Sequence, residues 1–307
     1  MAGRPCGKAI GVTARIFLLG AGYSARAFAR RQRGRAEAIF GTTRSPEKSG
    51  ALRQDGIEPL IFGGGAIGAE MAAALKRATH LVLSAAPDAV AEGKRHDPFL
   101  PYVEGRLRHL VPDLRWIAYL STVGVYGDHG GAWVDEESAC RPVSRRSVER
   151  LAAEKAWQGA AEKEGFPLAV LRLAGIYGPG RNALANLAAG TARRIVKPDQ
   201  VFNRIHVDDI AGALSLLAER ETGGVFNLAD GAPSPAEDVV AFAAGLMGVE
   251  PPPAIPFETA EMTPMARSFY GENKRVSNAK LKAVGYRLAF PDYASALTAM
   301  WRSGDWR

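Results

Sequence analysis

Cysteine and long apolar runs are both scarce in this sequence, and each scarcity excludes a class of protein. The 307 residues include two cysteines, Cys6 and Cys140. Two isolated thiols provide neither a disulfide framework nor zinc-ligand spacing, so we expect no metal and a reducing, cytoplasmic environment. No apolar stretch reaches the ~18 residues that a membrane-spanning helix needs. The mixed segment 1–13 lacks the apolar core of a secretion signal, and we expect no membrane association.

Acidic residues are outnumbered by basic ones. The chain has 39 Lys and Arg against 32 Asp and Glu, a formal net charge of +7. The arginines are spread along the chain, and no nucleic-acid recognition motif accompanies them, so we expect no nucleic-acid partner. We interpret the excess as a basic surface that attracts cofactor phosphates. Hydrophobic residues make up 47% of the chain, enough for a large folded core.

A glycine turn between an apolar strand and a helix is the most informative local motif. The apolar run 16–19 is followed by Gly20-Ala21-Gly22-Tyr23-Ser24-Ala25, and 25–33 continues in a helical pattern. Strand, Gly-x-Gly-x-x-Ala and helix in this order are the fingerprint of a dinucleotide site. An ordinary structural turn is the alternative interpretation.

Each position in this motif has a physical role. Gly20 permits the tight turn, and Gly22 has no Cβ to keep a pyrophosphate from the backbone. Ala25 lets the helix pack closely on the strand. The backbone at the helix N-terminus, around Tyr23 and Ser24, offers N–H groups and a partial positive charge to the phosphates.

The residues after the second strand indicate which dinucleotide is bound. An NAD site usually has Asp or Glu here, whereas this chain has Thr42, Thr43 and Arg44. No carboxylate repels a 2′-phosphate, and Arg44 can pair with one. The sequence therefore predicts NADP as the cofactor, with NAD as the alternative. Small residues after the fourth strand, Ala85 and Ala86, would let a loop lie against the adenosine and nicotinamide riboses.

Apolar strand patterns alternate with helical patterns along the chain. Strands are predicted at 16–19, 38–44, 57–62, 80–84, 116–120 and 167–172. Right-handed crossovers between such strands give an α/β fold, a doubly wound parallel sheet with ligands at its carboxyl edge. Further along, Arg193, Arg194 and Lys197 are predicted on a hairpin with 201–205, and Asp208 and Asp209 are predicted to cap the helix 207–220.

Several later motifs carry a resemblance to a known family. They are Ser121-Thr122-Val123-Gly124-Val125-Tyr126-Gly127, Tyr177-Gly178-Pro179-Gly180 and Ile205-His206-Val207-Asp208. In this order, the chain from about residue 14 to 300 resembles the extended short-chain dehydrogenases/reductases, the NAD-dependent epimerase/dehydratase family.

The resemblance implies a domain organisation and an activity. It implies an NAD(P)-binding Rossmann domain at 14–230 with a substrate-lobe insertion around 181–205, and a small C-terminal α/β substrate lobe at 231–307. The expected activity is that of an oxidoreductase or epimerase on a small polar substrate, anionic or nucleotide-linked. A homodimer is also expected from the family.

The chain departs from the family at the catalytic pair. Thr122 occupies the Ser/Thr position that binds the substrate oxygen, but Arg146 and Arg150 stand where the family has Tyr and Lys. Arginine keeps its proton at any ordinary pH, so Arg146 cannot shuttle one as tyrosine does. Arg150, one helical turn on, can still bind ribose hydroxyls or a phosphate.

Three accounts of this departure remain open. The two arginines bind an anionic substrate or a cofactor phosphate, they form a solvated helix face, or Tyr126 supplies the proton instead. A protein that binds NADP(H) without turnover, as a sensor or scaffold, is the alternative function.

Overall fold

The computed structural model describes residues 14–89 and 95–307. Cys6 lies outside these residues. Within them, no helix is both long and apolar enough to cross a membrane.

The strands and helices alternate through the first two thirds of the chain. The strands are β1 (Arg15–Leu19), β2 (Ala38–Thr43), β3 (Glu58–Ile61), β4 (His80–Leu83), β5 (Asp88–Ala89), β6 (Arg95–His96), β7 (Trp116–Thr122), β8 (Trp133–Val134), β9 (Leu168–Leu173), β10 (Gly175–Tyr177), β11 (Arg194–Val196), β12 (Arg204–His206), β13 (Gly224–Leu228), β14 (Ala254–Pro256) and β15 (Arg275–Val276). The α-helices are α1 (Tyr23–Gln32), α2 (Ser49–Gln54), α3 (Ala69–Arg77), α4 (Leu100–Val103), α5 (Leu107–Leu110), α6 (Arg145–Glu164), α7 (Ala183–Ala188), α8 (Val207–Glu219), α9 (Ala236–Met247), α10 (Pro264–Ser268), α11 (Ala279–Ala283) and α12 (Tyr293–Ser303).

The described part of the chain forms a seven-stranded parallel sheet in the order β13-β9-β7-β4-β1-β2-β3. Strand β1 is buried on both faces, as its continuous apolar run predicts. Ile16 and Leu18 pack in a cluster with α1 and α8, whereas Phe17 and Leu19 pack in a cluster with α3 and α6. Helices therefore cover both faces, and the predicted doubly wound α/β fold is confirmed.

The strand order reverses at β1. Strands β2 and β4 both pair with β1, so the chain winds first to one side of it and then to the other. In open parallel sheets, ligands bind at the carboxyl ends of the strands beside such a reversal. The glycine turn lies there because it directly follows β1.

A further apolar cluster joins the segment after β10 to the C-terminal helices. Its members include Leu184 of α7, Ala243 of α9, and Leu297 and Met300 of α12. The predicted hairpin in this region is wrong: β11 pairs in parallel with β14, and β12 pairs in parallel with β10. Each strand has a partner distant in sequence, which local charge and turn signals do not reveal.

The predicted caps of α8 are also wrong. The N-cap is His206, whose Nδ1 accepts a hydrogen bond from the backbone N–H of Asp208 at 3.2 Å. The fully buried carboxylate of Asp209 accepts hydrogen bonds from the Tyr286 hydroxyl and from two backbone N–H groups, those of Ala289 and Phe290. Asp209 therefore fastens the segment before α12 to α8.

Candidate functional site

A cavity of about 860 Å³ opens at the carboxyl edge of the sheet. The connections that follow four successive strands line it, after β1, β2, β3 and β4. The lining residues include Gly20, Ala21, Gly22, Thr43, Arg44, Ser45, Lys48, Ser84, Ala85 and Ala86, with Arg146 of α6 and Met265 of α10.

The glycine turn is shaped by two different constraints. Gly20 has φ +85°, and a Cβ there would lie 2.8 Å from the backbone nitrogen of Ala85, so a larger residue would not fit. At Gly22, a Cβ would meet no atom of the described residues within 4 Å. Gly22 therefore borders open space, which leaves room for a pyrophosphate against the backbone.

The start of α1 faces this space. Gly22 is the N-cap residue and gives no side-chain cap, so the N–H groups of the first turn, at Tyr23, Ser24 and Ala25, are not capped by it. The Tyr23 hydroxyl donates to the carbonyl oxygen of Pro179 at 2.9 Å, and the side chains of Ser24 and Ala25 are buried. The predicted contacts of these three residues with a cofactor would therefore be made by their backbone.

Cationic side chains collect at the β2 end of the cavity. Arg44 lies there as the sequence suggests, and Lys48 lies beside it at the end of the short 3₁₀ turn Pro46–Lys48. Sequence reasoning missed Lys48. The signal was present, since Ser45-Pro46 marks a helical start that folds Lys48 back toward the strand end.

The two arginines of α6 have different surroundings. Arg146 is exposed and lines the cavity. Arg150 is buried, and its guanidinium donates to the carbonyl oxygens of Leu120 at 3.1 Å and Ala85 at 3.4 Å. Arg150 thus joins the carboxyl ends of β7 and β4 behind the cavity, whereas Arg146 projects where a ligand would lie.

Thr122 and Tyr126 lie outside the lining described for this cavity. The Thr122 hydroxyl accepts a hydrogen bond from the Gly124 N–H at 3.1 Å and caps the turn that follows β7. The Tyr126 side chain is fully buried, and its hydroxyl donates to Asn227 Oδ1 at 2.7 Å and accepts from Arg172 at 3.0 Å. Burial raises the pKa of Tyr126 to about 12. A hydroxyl so enclosed is not placed to give its proton to a substrate.

An ion pair anchors this network in the core. The Arg172 guanidinium donates to Glu154 at 3.0 Å, and Ser121 also donates to Glu154. Arg172 of β9 is 6% exposed and Glu154 of α6 is 1% exposed. The pair therefore fixes the helix that carries Arg146 and Arg150 against the sheet.

Two further cavities lie beside β10 and β12. One of about 720 Å³ is lined by apolar and aromatic side chains, and one of about 400 Å³ is more polar. Tyr177, Arg193 and Arg204 line both. Met265 lines both the 720 Å³ cavity and the 860 Å³ cavity at the carboxyl ends of the strands. The three spaces are therefore neighbours.

Asp230, after β13, is an almost fully buried carboxyl. Its Oδ1 accepts from the Ala232 N–H at 3.1 Å, whereas Oδ2 has no partner among the described residues. Burial raises the pKa of Asp230 to about 7 from its ordinary 3.8. The folded protein therefore keeps a proton here that the unfolded chain has released.

This proton makes stability depend on pH. Between pH 4 and 7 the native state binds more protons, so the contribution of Asp230 to stability falls as pH rises and levels off above 7. We expect Asp230→Asn to raise the free energy of unfolding by about 1–3 kcal/mol at pH 9 and little at pH 4.5, because the amide carries no buried charge. Urea unfolding at both pH values measures the difference. A gain of equal size at both would contradict the assignment.

Comparison with known proteins agrees with the fold. Residues 106–229 match the model of the NAD dependent epimerase/dehydratase family. A functionally unknown conserved protein from Silicibacter pomeroyi DSS is 42% identical and superposes with a TM-score of 0.84, over 95% of this chain and 100% of that one.

Other relatives are more partial or more distant. Protein YeeZ of Escherichia coli K12 is 36% identical over 157 residues, 49% of this chain. The match spans about half the length of that curated relative, 52%. Human epimerase family protein SDR39U1, whose structure contains NADPH, has a TM-score of 0.69 at 20% identity, over 94% of this chain and 99% of that one, and shows the fold alone.

Fold and cavity define a Rossmann-type protein with a crevice beside the glycine turn. The chain belongs to the NAD-dependent epimerase/dehydratase family, as an atypical extended short-chain dehydrogenase/reductase.

Proposed function

We propose that this protein is an NADP(H)-dependent oxidoreductase of the epimerase/dehydratase type that acts on a small anionic substrate. The observation that carries the proposal is the cavity itself. It joins the open backbone at Gly22, the start of α1 and two cationic side chains after β2 in one space. That combination suits a dinucleotide with an additional phosphate.

The choice of NADP over NAD rests on charge. Arg44 and Lys48 line the β2 end of the cavity, where the ribose of the adenosine half would lie. Two cations there attract a 2′-phosphate, and Thr43 and Ser45 add hydroxyl groups that hydrogen-bond it.

The chain's own residues define the chemistry. When bound, the dinucleotide supplies a hydride acceptor or donor at its nicotinamide ring. Arg146 reaches the cavity and holds an oxygen of the substrate, so that its fixed positive charge stabilises the negative charge that develops there. Solvent water delivers the proton, because the Arg146 side chain is exposed and water reaches the substrate oxygen beside it.

We expect Arg44→Ala to weaken NADPH binding about tenfold or more and to leave NADH binding nearly unchanged, since only NADPH carries the 2′-phosphate. Titration of the purified protein with each dinucleotide, followed by tryptophan fluorescence, measures both affinities. Arg53→Ala is the matched control, because Arg53 is an exposed residue of α2 that is absent from the described cavity lining. Equal losses of affinity for NADPH and NADH would mean that Arg44 does not bind the 2′-phosphate.

Binding without turnover, as a sensor or scaffold, is the second candidate function. The enclosure of Tyr126 and the arginine at position 146 favour it, because neither group can shuttle a proton to a substrate. Steady NADPH oxidation with a panel of carbonyl compounds separates the two functions. Oxidation that Arg146→Ala reduces at least about tenfold supports the enzyme. Tight NADPH binding with no oxidation across the panel supports the sensor.

A further inference from the structure

Arg204 is a largely buried cation whose charge is not matched by a close carboxylate. Its guanidinium donates to the Ser234 hydroxyl at 2.8 Å and to the carbonyl oxygens of Phe202 and Ser234, each at 3.1 Å. Among the described residues, no carboxylate oxygen lies within 4.0 Å of its nitrogen atoms. Burial lowers the pKa of Arg204. A buried cation held only by neutral groups is costly unless an anion joins it.

Asp230 is a carboxyl group near Arg204, but its negative charge only partly balances the positive charge of Arg204. The two residues are joined through the backbone, where the Asp230 N–H donates to the Arg204 carbonyl oxygen at 2.6 Å. Because the pKa of Asp230 is about 7, a large fraction of its carboxyl groups is uncharged near neutral pH. Positive charge therefore remains at Arg204.

That charge faces the cavities of about 400 Å³ and 720 Å³. Arg204 lines both, and so does Arg193, whose guanidinium also donates to the carbonyl oxygen of Glu261. Arg181 adds a third cation to the smaller cavity. The positive end of the combined space is thus built from three separate parts of the chain.

The 720 Å³ cavity is mainly apolar away from these arginines. Its walls include the apolar and aromatic side chains Ile176, Ile195, Phe202, Met262, Phe269 and Tyr270. The side-chain amide of Asn203, which also lines this cavity, already has partners. It donates to the carbonyl oxygen of Lys274 at 2.9 Å and accepts from the Val276 N–H at 2.8 Å. Thr263 accepts from the Ala266 N–H as the N-cap of α10. Few side-chain groups therefore remain to read the edge of a nucleobase or the hydroxyls of a ribose.

We propose that the substrate is an amphipathic anion, a carboxylate or phosphate monoester held by Arg193 and Arg204 with an aryl or alkyl body in the 720 Å³ cavity, and not a nucleotide-linked sugar. This inference rests on the proposed function, which assigns the dinucleotide to the 860 Å³ cavity. Met265 lines both that cavity and the 720 Å³ cavity, so a substrate in the second lies next to a cofactor in the first. The charge binds one end of the substrate, and the apolar walls desolvate the rest.

Calorimetric titration of the full chain with four probes tests the substrate class. The probes are 2-naphthoate, 2-naphthyl phosphate, the neutral 2-naphthamide and UDP. We expect both naphthyl anions to bind at least about tenfold more tightly than the amide and than UDP. The ranking of carboxylate against phosphate then identifies the anionic group. Absence of binding by both anions, equal binding of the amide, or tighter binding of UDP would overturn the proposal.

Neighbouring arginines provide the matched variants. Arg193 lines the cavities, whereas Arg194, the next residue, is absent from their described lining and donates to the carbonyl oxygen of Pro252. We expect Arg193→Met to weaken 2-naphthoate binding about tenfold and Arg194→Met less than about twofold. Equal losses of 2-naphthoate affinity in the two variants would mean that the anion is attracted by the general surface charge and not bound by Arg193.

Phe269→Ser tests the apolar wall without disturbing the core, because Phe269 is 57% exposed. We expect it to weaken both naphthyl anions about fivefold or more and to leave NADPH binding unchanged. Unchanged naphthoate binding would place the apolar body elsewhere and refute the assignment. Arg204→Met is informative only if circular dichroism shows that it folds, since Arg204 also holds the segment 234–235, and the two variants above do not depend on it.

The same titrations separate this proposal from the proposed function. If the naphthyl anions bind and neither dinucleotide does, the anion site stands and the oxidoreductase assignment fails. If NADPH binds and the naphthyl anions do not, the oxidoreductase assignment stands and the amphipathic anion is rejected.

Discussion

Replacing Arg172 by leucine is expected to lower the free energy of unfolding by about 3–5 kcal/mol. The substitution leaves the carboxylate of Glu154, 1% exposed, in the core without its cation. It also removes the donor that lies 3.0 Å from the Tyr126 hydroxyl. Urea unfolding at pH 7, with the midpoint and slope fitted together, measures the loss.

Helix α6, which carries Glu154, also contains a control for this prediction. Arg145 and Glu149 form an ion pair one turn apart on α6, at 2.8 Å, in which the Arg145 side chain is 67% exposed and the Glu149 side chain 14%. Arg145→Ala should cost about 1 kcal/mol or less, because the Arg145 side chain is already solvated and water can take its place beside Glu149, which is less buried than Glu154. The double variant Arg172→Leu/Glu154→Leu should recover much of the stability that Arg172→Leu loses, since no buried charge is left unpaired. A loss below about 1 kcal/mol in Arg172→Leu would mean that Glu154 is compensated by other groups.

Gly22→Asp should abolish dinucleotide binding, a loss of at least about a hundredfold, and leave the fold intact. Its backbone has φ −85°, and a Cβ there meets no atom of the described residues within 4 Å, so the aspartate is accommodated. Its carboxylate would then occupy the space beside the start of α1 and repel a pyrophosphate. Fluorescence titration with NADPH measures the effect, and thermal unfolding reports on the fold.

Gly20→Ala separates the two roles of the turn. A Cβ at Gly20 would lie 2.8 Å from the backbone of Ala85, and φ is +85° there, so this variant should lower the thermal midpoint itself. If Gly22→Asp is folded and still binds NADPH with unchanged affinity, the pyrophosphate does not lie against this turn.

The glycine turn and the sheet were predictable because their signals are local. Ile16 to Leu19 are apolar without interruption, and only a strand covered on both faces buries such a run. The alternation of strands and helices then predicts a parallel sheet, which the pairing of the seven strands confirms. Arg44 could be located for the same reason, since it directly follows β2.

The hairpin and the helix caps were mispredicted because their partners are distant in sequence. Strand β11 pairs with β14, more than fifty residues further along the chain. His206 caps α8, whereas Asp209 is drawn away by the backbone N–H groups of Ala289 and Phe290. No pattern around residues 193–209 contains that information.

The sequence by itself determined the fold class and the position of the glycine turn after β1, and it predicted that Arg146 and Arg150 stand where the family has Tyr and Lys. Tertiary structure alone decided that Arg146 reaches the cavity, that Arg150 holds the ends of β4 and β7, and that Tyr126 is enclosed beside Arg172. It also decided that Arg193 and Arg204 meet at one apolar space. The reason is physical: strand and turn propensities act between near neighbours, whereas burial and charge pairing depend on which distant segments pack together.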